Sequence, residues 1–255
     1  VINGFNNNQG YAFNFNAAIN IYRSGNNRIE CNFLGTDASG ASAVANLRGV
    51  DINSASGNII GSGGAPSPYV ARNLISGNTY GQVDTRGDAP THNLIAGNYI
   101  GPDAAGMTAL GGGTGVSING NPNPATGNIV GWHGVGDPAL IRNLISGSSG
   151  GPSAPGLEMV VGAHDNRVAG NYIGTDATGL AAIGNAGATG IGVALGSNAS
   201  VYGNLIGNDG TQGAAARNVI SGNTFAGIDI NGANGAHDNA VVGNWIGVRA
   251  DGSGV

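Results

Sequence analysis

The stretch Gly170-Asn171-Tyr172-Ile173-Gly174-Thr175-Asp176-Ala177-Thr178-Gly179 decides the fold, because versions of it recur along the whole chain. Aligned on the form Gly-Asn-x-Ile-Gly, the copies carry Asn32, Asn58, Asn98, Asn128, Asn171, Asn204 and Asn244. The intervals between them are 26, 40, 30, 43, 33 and 40 residues. Short and long intervals alternate, so two variants alternate. The first runs on into a Thr-Asp-x-x-Gly turn that carries Asp37, Asp103 or Asp176, with Arg249 at that place in the last copy. The second passes through a longer loop into Arg-Asn-(Leu/Val)-Ile-Ser-Gly, beginning at Arg72, Arg142 and Arg217. Self-similarity at such periods marks a solenoid.

On either side of Gly170, as in every repeat, three short apolar segments are separated by bends. Val168 and Ile173 are five residues apart, which a period-2 strand would place on opposite faces. A bend at Gly170-Asn171, the two residue types that most readily take left-handed backbone angles, returns both to one interior. The apolar spacing elsewhere is two, broken every four to six residues, so no helix is expected beyond a minor decoration. The prediction is an all-β chain: a right-handed parallel β-helix with three sheets and about seven coils in two alternating variants. Stacked coils would lie roughly 4.8 Å apart, so the bend asparagines would form a ladder of side-chain amides. Residues 1–255 read as one β-helix repeat array with both ends inside a repeat, as expected of a segment of a longer protein.

Composition supports an ordered array. There are 50 glycines and 34 asparagines, yet 40% of residues are hydrophobic and fill a core. Charged residues make up 9%, no lysine occurs, and the net charge is -5. With no basic cluster, nucleic acid is excluded as the expected partner. No apolar run reaches the roughly 20 residues of a membrane span. Cys31 is the single cysteine, and no Cys/His spacing suggests a zinc site. No metal and no cofactor are expected.

In Gly170 to Gly179, Arg217-Asn218-Val219-Ile220-Ser221-Gly222-Asn223 and Gly227-Ile228-Asp229-Ile230 the chain resembles bacterial secreted or surface proteins built from right-handed parallel β-helix repeats, of pectate-lyase-like architecture. The resemblance implies a long extracellular or cell-surface protein. Some relatives by architecture are polysaccharide lyases, hydrolases, esterases or epimerases.

Several residues are candidates for chemistry. Asp37, Asp103 and Asp176 could bind calcium, but one carboxylate per loop falls short of the six or more oxygens calcium needs, and a turn role is expected. The outward positions Asn20, Asp51, Ser117, Glu158, Gly192 and Asp229, with Asp84 in register, read as a solvated sheet face. Hydrolysis would instead need two carboxylates at a set separation. His92, His164 and His237 read as one column of loop residues, and Cys31 as a small buried side chain. Arg72, Arg142 and Arg217 form a column suited to an aspartate or loop carbonyls, or to an acidic polysaccharide.

The x position of the repeat holds Phe33, Ile59, Tyr99, Ile129, Tyr172, Leu205 and Trp245. Its aromatics Phe33, Tyr99, Tyr172 and Trp245 could stack on sugars, form a lateral seam between β-helices, or lie under the longer loops. The expected function is structural: an extracellular stalk, sheath, filament or adhesin element without catalytic residues. Its partners would be copies of itself, end to end or side by side, or the rest of a longer chain. The alternative is a domain that binds or degrades polysaccharide through its outward strand face. Convergence of Asp51, Asp84, Glu158 or Asp229 with an arginine in one groove would decide for the alternative.

Overall fold

The computed structural model describes residues 1–5, 16–63, 71–150, 154–186, 190–196, 199–211 and 213–254. Three parallel seven-stranded sheets wind into a solenoid. Sheet I contains Ala17–Tyr22, Arg48–Asn53, Gly81–Gly87, Thr114–Pro122, Leu157–Val160, Ile191–Leu195 and Ala226–Ile230. These seven strands begin coils 1 to 7, and each coil then adds a short strand to sheet II and another to sheet III.

The interior is a continuous aliphatic column. Val50, Ile52, Val83, Val116, Ile118, Leu157 and Val193 from sheet I, Ile60, Ile95, Val130, Val168 and Ile206 from sheet II, and Leu34, Ile75, Ile100, Ile145, Ile173 and Ile220 from sheet III are all fully buried. Each such side chain stabilises the fold by roughly 1.5–3 kcal/mol relative to exposure. Val168 and Ile173 both face this interior, with the turn between them made by Gly170 at φ 70°.

The asparagine column splits in two. Asn27, Asn58, Asn93, Asn128, Asn166, Asn204 and Asn239 form one ladder at the entrance to sheet II, each Nδ2 donating to the next Oδ1 at 2.8–3.0 Å. Asn32, Asn73, Asn98, Asn143, Asn171, Asn218 and Asn244 form the other at the entrance to sheet III. The seven repeat asparagines therefore divide between two corners, which share a motif because they share a bend geometry. The x column divides with them. Phe33, Tyr99, Tyr172 and Trp245 lie in sheet III, whereas Ile59, Ile129 and Leu205 lie in sheet II.

The alternation of variants has a steric origin. The Thr-Asp-x-x-Gly turns of coils 1, 3, 5 and 7 bond to each other across the intervening coil: the N–H of Ala104 donates to Gly40, that of Ala177 to Gly106, and that of Ala250 to Gly179. At the opposite corner the long loops of coils 4 and 6 cover the bends of the coils before them, with the N–H of Gly97 donating to Ile141 and that of Gly170 to Ala216. Trp132, Ile141, Ala169, Ala216 and Ala96 form a small second core beneath them. One loop fills the height of two coils, so adjacent coils cannot both carry it. Pro138–Ile141, capped by Asp137, is the one α-helix among the described residues.

Three further expectations change. Val193 rather than Ile191 pairs with Leu157, so Ala194 replaces Gly192 in the outward row; Gly-Ile-Gly-Val-Ala-Leu offers two overlapping alternations. Thr91 pairs with Thr126, which pairs with His164, so His92 lies one position out of the histidine column. Cys31 is exposed. It holds φ 59° where the equivalent Gly97, Gly170 and Gly243 hold 73°, 70° and 65°. Left-handed geometry costs a side-chain-bearing residue roughly 1–2 kcal/mol, and glycine's added unfolded-state entropy offsets about 0.4–1 kcal/mol of that. Cys31→Gly is therefore expected to raise stability by about 0.5–1 kcal/mol in urea unfolding; a loss would contradict the assignment of strain.

Candidate active site on sheet I

The outward row of sheet I reads Asn20, Asp51, Asp84, Ser117, Glu158, Ala194 and Asp229, each in register with the next. Coils 2 to 5 therefore bring Asp51, Asp84, Ser117 and Glu158 side by side. This overturns the solvated-face reading, because Asp51 is fully buried and Asp84 and Ser117 are nearly so. What covers them is arginine. Asp84 and Arg86 alternate on one strand and share a face. Arg86 closes a two-point bridge onto Asp51 of the previous coil, Nε to Oδ1 at 2.7 Å and Nη2 to Oδ2 at 2.6 Å. Arg48 reaches the other way, its Nε 2.6 Å from Asp84 Oδ2. The two ion pairs thus cross between coils 2 and 3. Gly81 makes room for this, since a Cβ there would stand 2.6 Å from Asp84 Oδ1.

Tyr80 lies against the same group, with the Arg48 guanidinium 4.4 Å from its ring centroid. Tyr80 is 61% exposed, so the arginine secures the ring while much of it faces solvent. Ser117 Oγ donates to Glu158 Oε1 at 2.8 Å. Around these side chains is a polar cleft of about 250 Å³, lined by Arg48, Tyr80, Asp84, Arg86, Ser117 and Glu158 among others. A second hollow of about 380 Å³ adjoins it at Gly87 and is lined by Tyr22 and Arg23. Asp229, two coils beyond Glu158, does not line the cleft.

Burial pushes the Asp84 carboxyl up to about 6, and the Asp51 charge adds to this while Arg48 opposes it. Burial also raises Glu158; the Ser117 hydroxyl lowers it, and the charge of Asp84 raises it further. The difference between the two is the cation. Asp84 has Arg48 to hold its anion, whereas no arginine pairs with Glu158 among the described residues. The ionised form of Asp84 thus has a cation beside it, whereas that of Glu158 has the Ser117 hydroxyl.

The shift has a consequence for stability. The folded protein keeps a proton on Asp84 that the unfolded chain gives up near an ordinary carboxylate value. This group's contribution is thus most favourable below about pH 4 and is lost as pH rises toward about 6. Between those values Asp84→Asn is expected to lack this loss. Across that range the stability difference between the two proteins is expected to change by roughly 1–3 kcal/mol in urea titrations, and an unchanged difference would contradict the shift.

The other candidates fall outside the cleft. Oδ1 of Asp37, Asp103 and Asp176 accepts two backbone N–H groups within its own turn. At Asp176 burial acts upward, but the Thr178 hydroxyl and these N–H groups bring the carboxyl below its usual range. His164, Tyr202 and His237 stack at 4.5 and 5.2 Å, with Asp165 on His164 and Asp238 on His237. Tyr99, Tyr172 and Trp245 are half-buried, each beneath an arginine of the neighbouring coil. One ring face is taken, so these aromatics cannot stack on a sugar from that side. Among the described residues no helix is long and apolar enough to cross a membrane.

Fold and site together define a parallel three-sheet β-helix with a crossed arginine-carboxylate cluster on one outer face. No protein-family model, curated protein or solved structure matches this chain.

Proposed function

We propose that the chain is a polysaccharide-degrading β-helix, secreted or held at a cell surface, that binds a sugar chain along sheet I and hydrolyses it in the cleft. The observation that carries this reading is the convergence of Asp84 and Glu158, both raised above ordinary carboxylates, with Arg48 and Arg86 in one polar cleft. Raised carboxyls in a cleft beside specific charge partners are the usual dress of proton-transfer residues.

Asp84 and Glu158 stand two coils apart, about 10 Å at the backbone by strand spacing. That leaves room for a water between them, in keeping with the roughly 6.5–9.5 Å between carboxyls of inverting glycoside hydrolysis. In this reading Glu158 donates its proton to the glycosidic oxygen, and Asp84 accepts one from the attacking water. Tyr80 offers a platform to a sugar ring. The pectate-lyase-like resemblance supports the reading, since carbohydrate chemistry recurs on that architecture, but a fold alone does not fix a function. The test is to incubate the protein with soluble neutral and acidic polysaccharides and measure new reducing ends. Their release with inversion at the anomeric carbon is expected. Unsaturated products would reassign the site to elimination, and no cleavage of any polymer would overturn the proposal.

A structural role is the second reading, favoured by the two amide ladders that run unbroken through all seven coils. A stiff stalk, sheath, filament or adhesin element would use them as its spine. Electron microscopy showing copies docked end to end or side by side would support it.

A further inference from the structure

Arg72, Arg142 and Arg217 occupy equivalent places on a different face from the cleft. Each immediately precedes a ladder asparagine, Asn73, Asn143 or Asn218, and is therefore two coils from the next. Each lies over an aromatic ring of sheet III: Arg72 is 3.9 Å from the Tyr99 centroid, Arg142 4.0 Å from that of Tyr172, and Arg217 4.4 Å from that of Trp245. The rings pack in turn against the turn glycines Gly106, Gly179 and Gly252. Ring and guanidinium thus hold each other in a fixed plane. All three Nε atoms are buried without a hydrogen-bond partner, and the ion pairs of the described arginines involve Arg28, Arg48 and Arg86 instead. The residues are half-buried, and only the Nε of each is among the fully buried unpaired atoms, so the Nη edge reaches solvent. Three planar cations, otherwise unpaired among the described residues, repeat at about 10 Å along one line.

A planar guanidinium matches a carboxylate two-point fashion, and stacking pre-pays the ordering of its long side chain. The repeat distance selects among polyanions. A nucleic-acid strand carries a charge about every 3.4 Å, so two of every three phosphates would face no cation, and the chain has no lysine to meet them. An extended polymer of uronic acids carries one carboxylate per sugar, with alternate ones on the same side, and two sugar units cover a length comparable to two coils. We propose that Arg72, Arg142 and Arg217 form a linear track that binds an extended acidic polysaccharide, each guanidinium taking the carboxylate of every second uronic-acid unit. The track is independent of the cleft and would hold a long substrate, or anchor the protein to an acidic matrix.

The test is calorimetry with oligogalacturonates of graded length, using Glu158→Gln protein so that cleavage cannot shorten the ligand. Chains long enough to span all three arginines, about 20 Å, are expected to bind at least roughly tenfold more tightly than those that reach one. Added salt should erase most of that gain. Methyl-esterified oligomers should lack it, as should the triple Arg→Gln variant. If that variant does not fold, Arg142→Lys keeps the charge without the planar fork and is expected to weaken long-chain binding about 3–10-fold. Affinity that is independent of length, equal for esterified ligand or unchanged in these variants overturns the proposal. Tighter binding of single-stranded DNA than of uronate would overturn the ligand class. Reducing-end release on neutral polymers reports on the cleft alone, so the two proposals fail separately.

Discussion

Asn143→Ala is expected to lower the unfolding free energy by about 3–5 kcal/mol and the melting temperature by roughly 10 °C. Asn143 is fully buried at the centre of the sheet III ladder. Its Nδ2 donates to the carbonyl of Ile95 at 2.8 Å and to Asn171 Oδ1 at 2.9 Å. Its Oδ1 accepts from the backbone N–H of Asn98 at 3.0 Å and from Asn98 Nδ2 at 3.2 Å. Truncation takes a partner from four polar groups of coils 3 and 5, of which Asn98 Nδ2 keeps its bonds to Ile60 and Ala96, and each buried orphan costs about 1–3 kcal/mol. Asn143→Asp should be worse, because it removes the donor and adds a buried charge. Asn208→Ala, at a half-buried loop position whose side chain bonds to Gly210 and Gly213 of its own loop, should cost less, about 0.5–1.5 kcal/mol. Urea unfolding measures all three. A loss below about 1 kcal/mol at Asn143 would mean that the coils are held by their aliphatic column with little help from the amides.

Glu158→Gln is expected to lower kcat on a cleaved polysaccharide by roughly 10²–10⁴-fold, the usual contribution of a positioned acid or base. The amide can still accept from Ser117, so the fold and substrate binding should survive and KM should move little. Asp84→Asn should lose activity to a similar extent, together with the rate dependence near pH 6 that its raised carboxyl imposes. It also removes the anion facing Arg48, so a stability loss is expected beside the kinetic one, and Glu158→Gln is the cleaner variant. Initial rates across pH, with thermal melts as a control, separate these outcomes. Unchanged kcat in Glu158→Gln would remove Glu158 from the chemistry.

The fold was legible because the repeat is written in residues that solve a local backbone problem. Gly170 supplies a positive φ, Asn171 an amide that links coils, and Val168 and Ile173 the core on either side of the bend. One motif nonetheless covers two corners, with Asn58, Asn128 and Asn204 at one and the other four copies at the second, since Asn58 and Asn98 obey the same bend rule in different places. Arg-Asn at 72–73 and the plain Asn27 and Asn93 held the missing rungs, and the alternating intervals were the available signal. The aromatic-arginine stacks were equally hidden, since Arg72 and Tyr99 are joined only by coil stacking.

The site was legible only in part. Asp51, Asp84, Ser117 and Glu158 could be placed on one row from the strand pattern, and their count and spacing made the row look open. Arg48, Arg86 and Tyr80 turn it into a cleft. Of the three only Arg86 carried a local hint, standing two residues after Asp84 on the same strand face. Burial of the row and the crossed pairing of arginines between coils depend on packing that periodicity does not encode.

The most direct test of the cleft's role is a crystal structure of Glu158→Gln protein grown with an oligosaccharide of a polymer that the unaltered protein cleaves. The account predicts a sugar chain along sheet I, a ring against Tyr80, the glycosidic oxygen within hydrogen-bond reach of the amide at position 158, and a water on Asp84. Sugar bound only along Arg72, Arg142 and Arg217, with the cleft left to solvent, would contradict it.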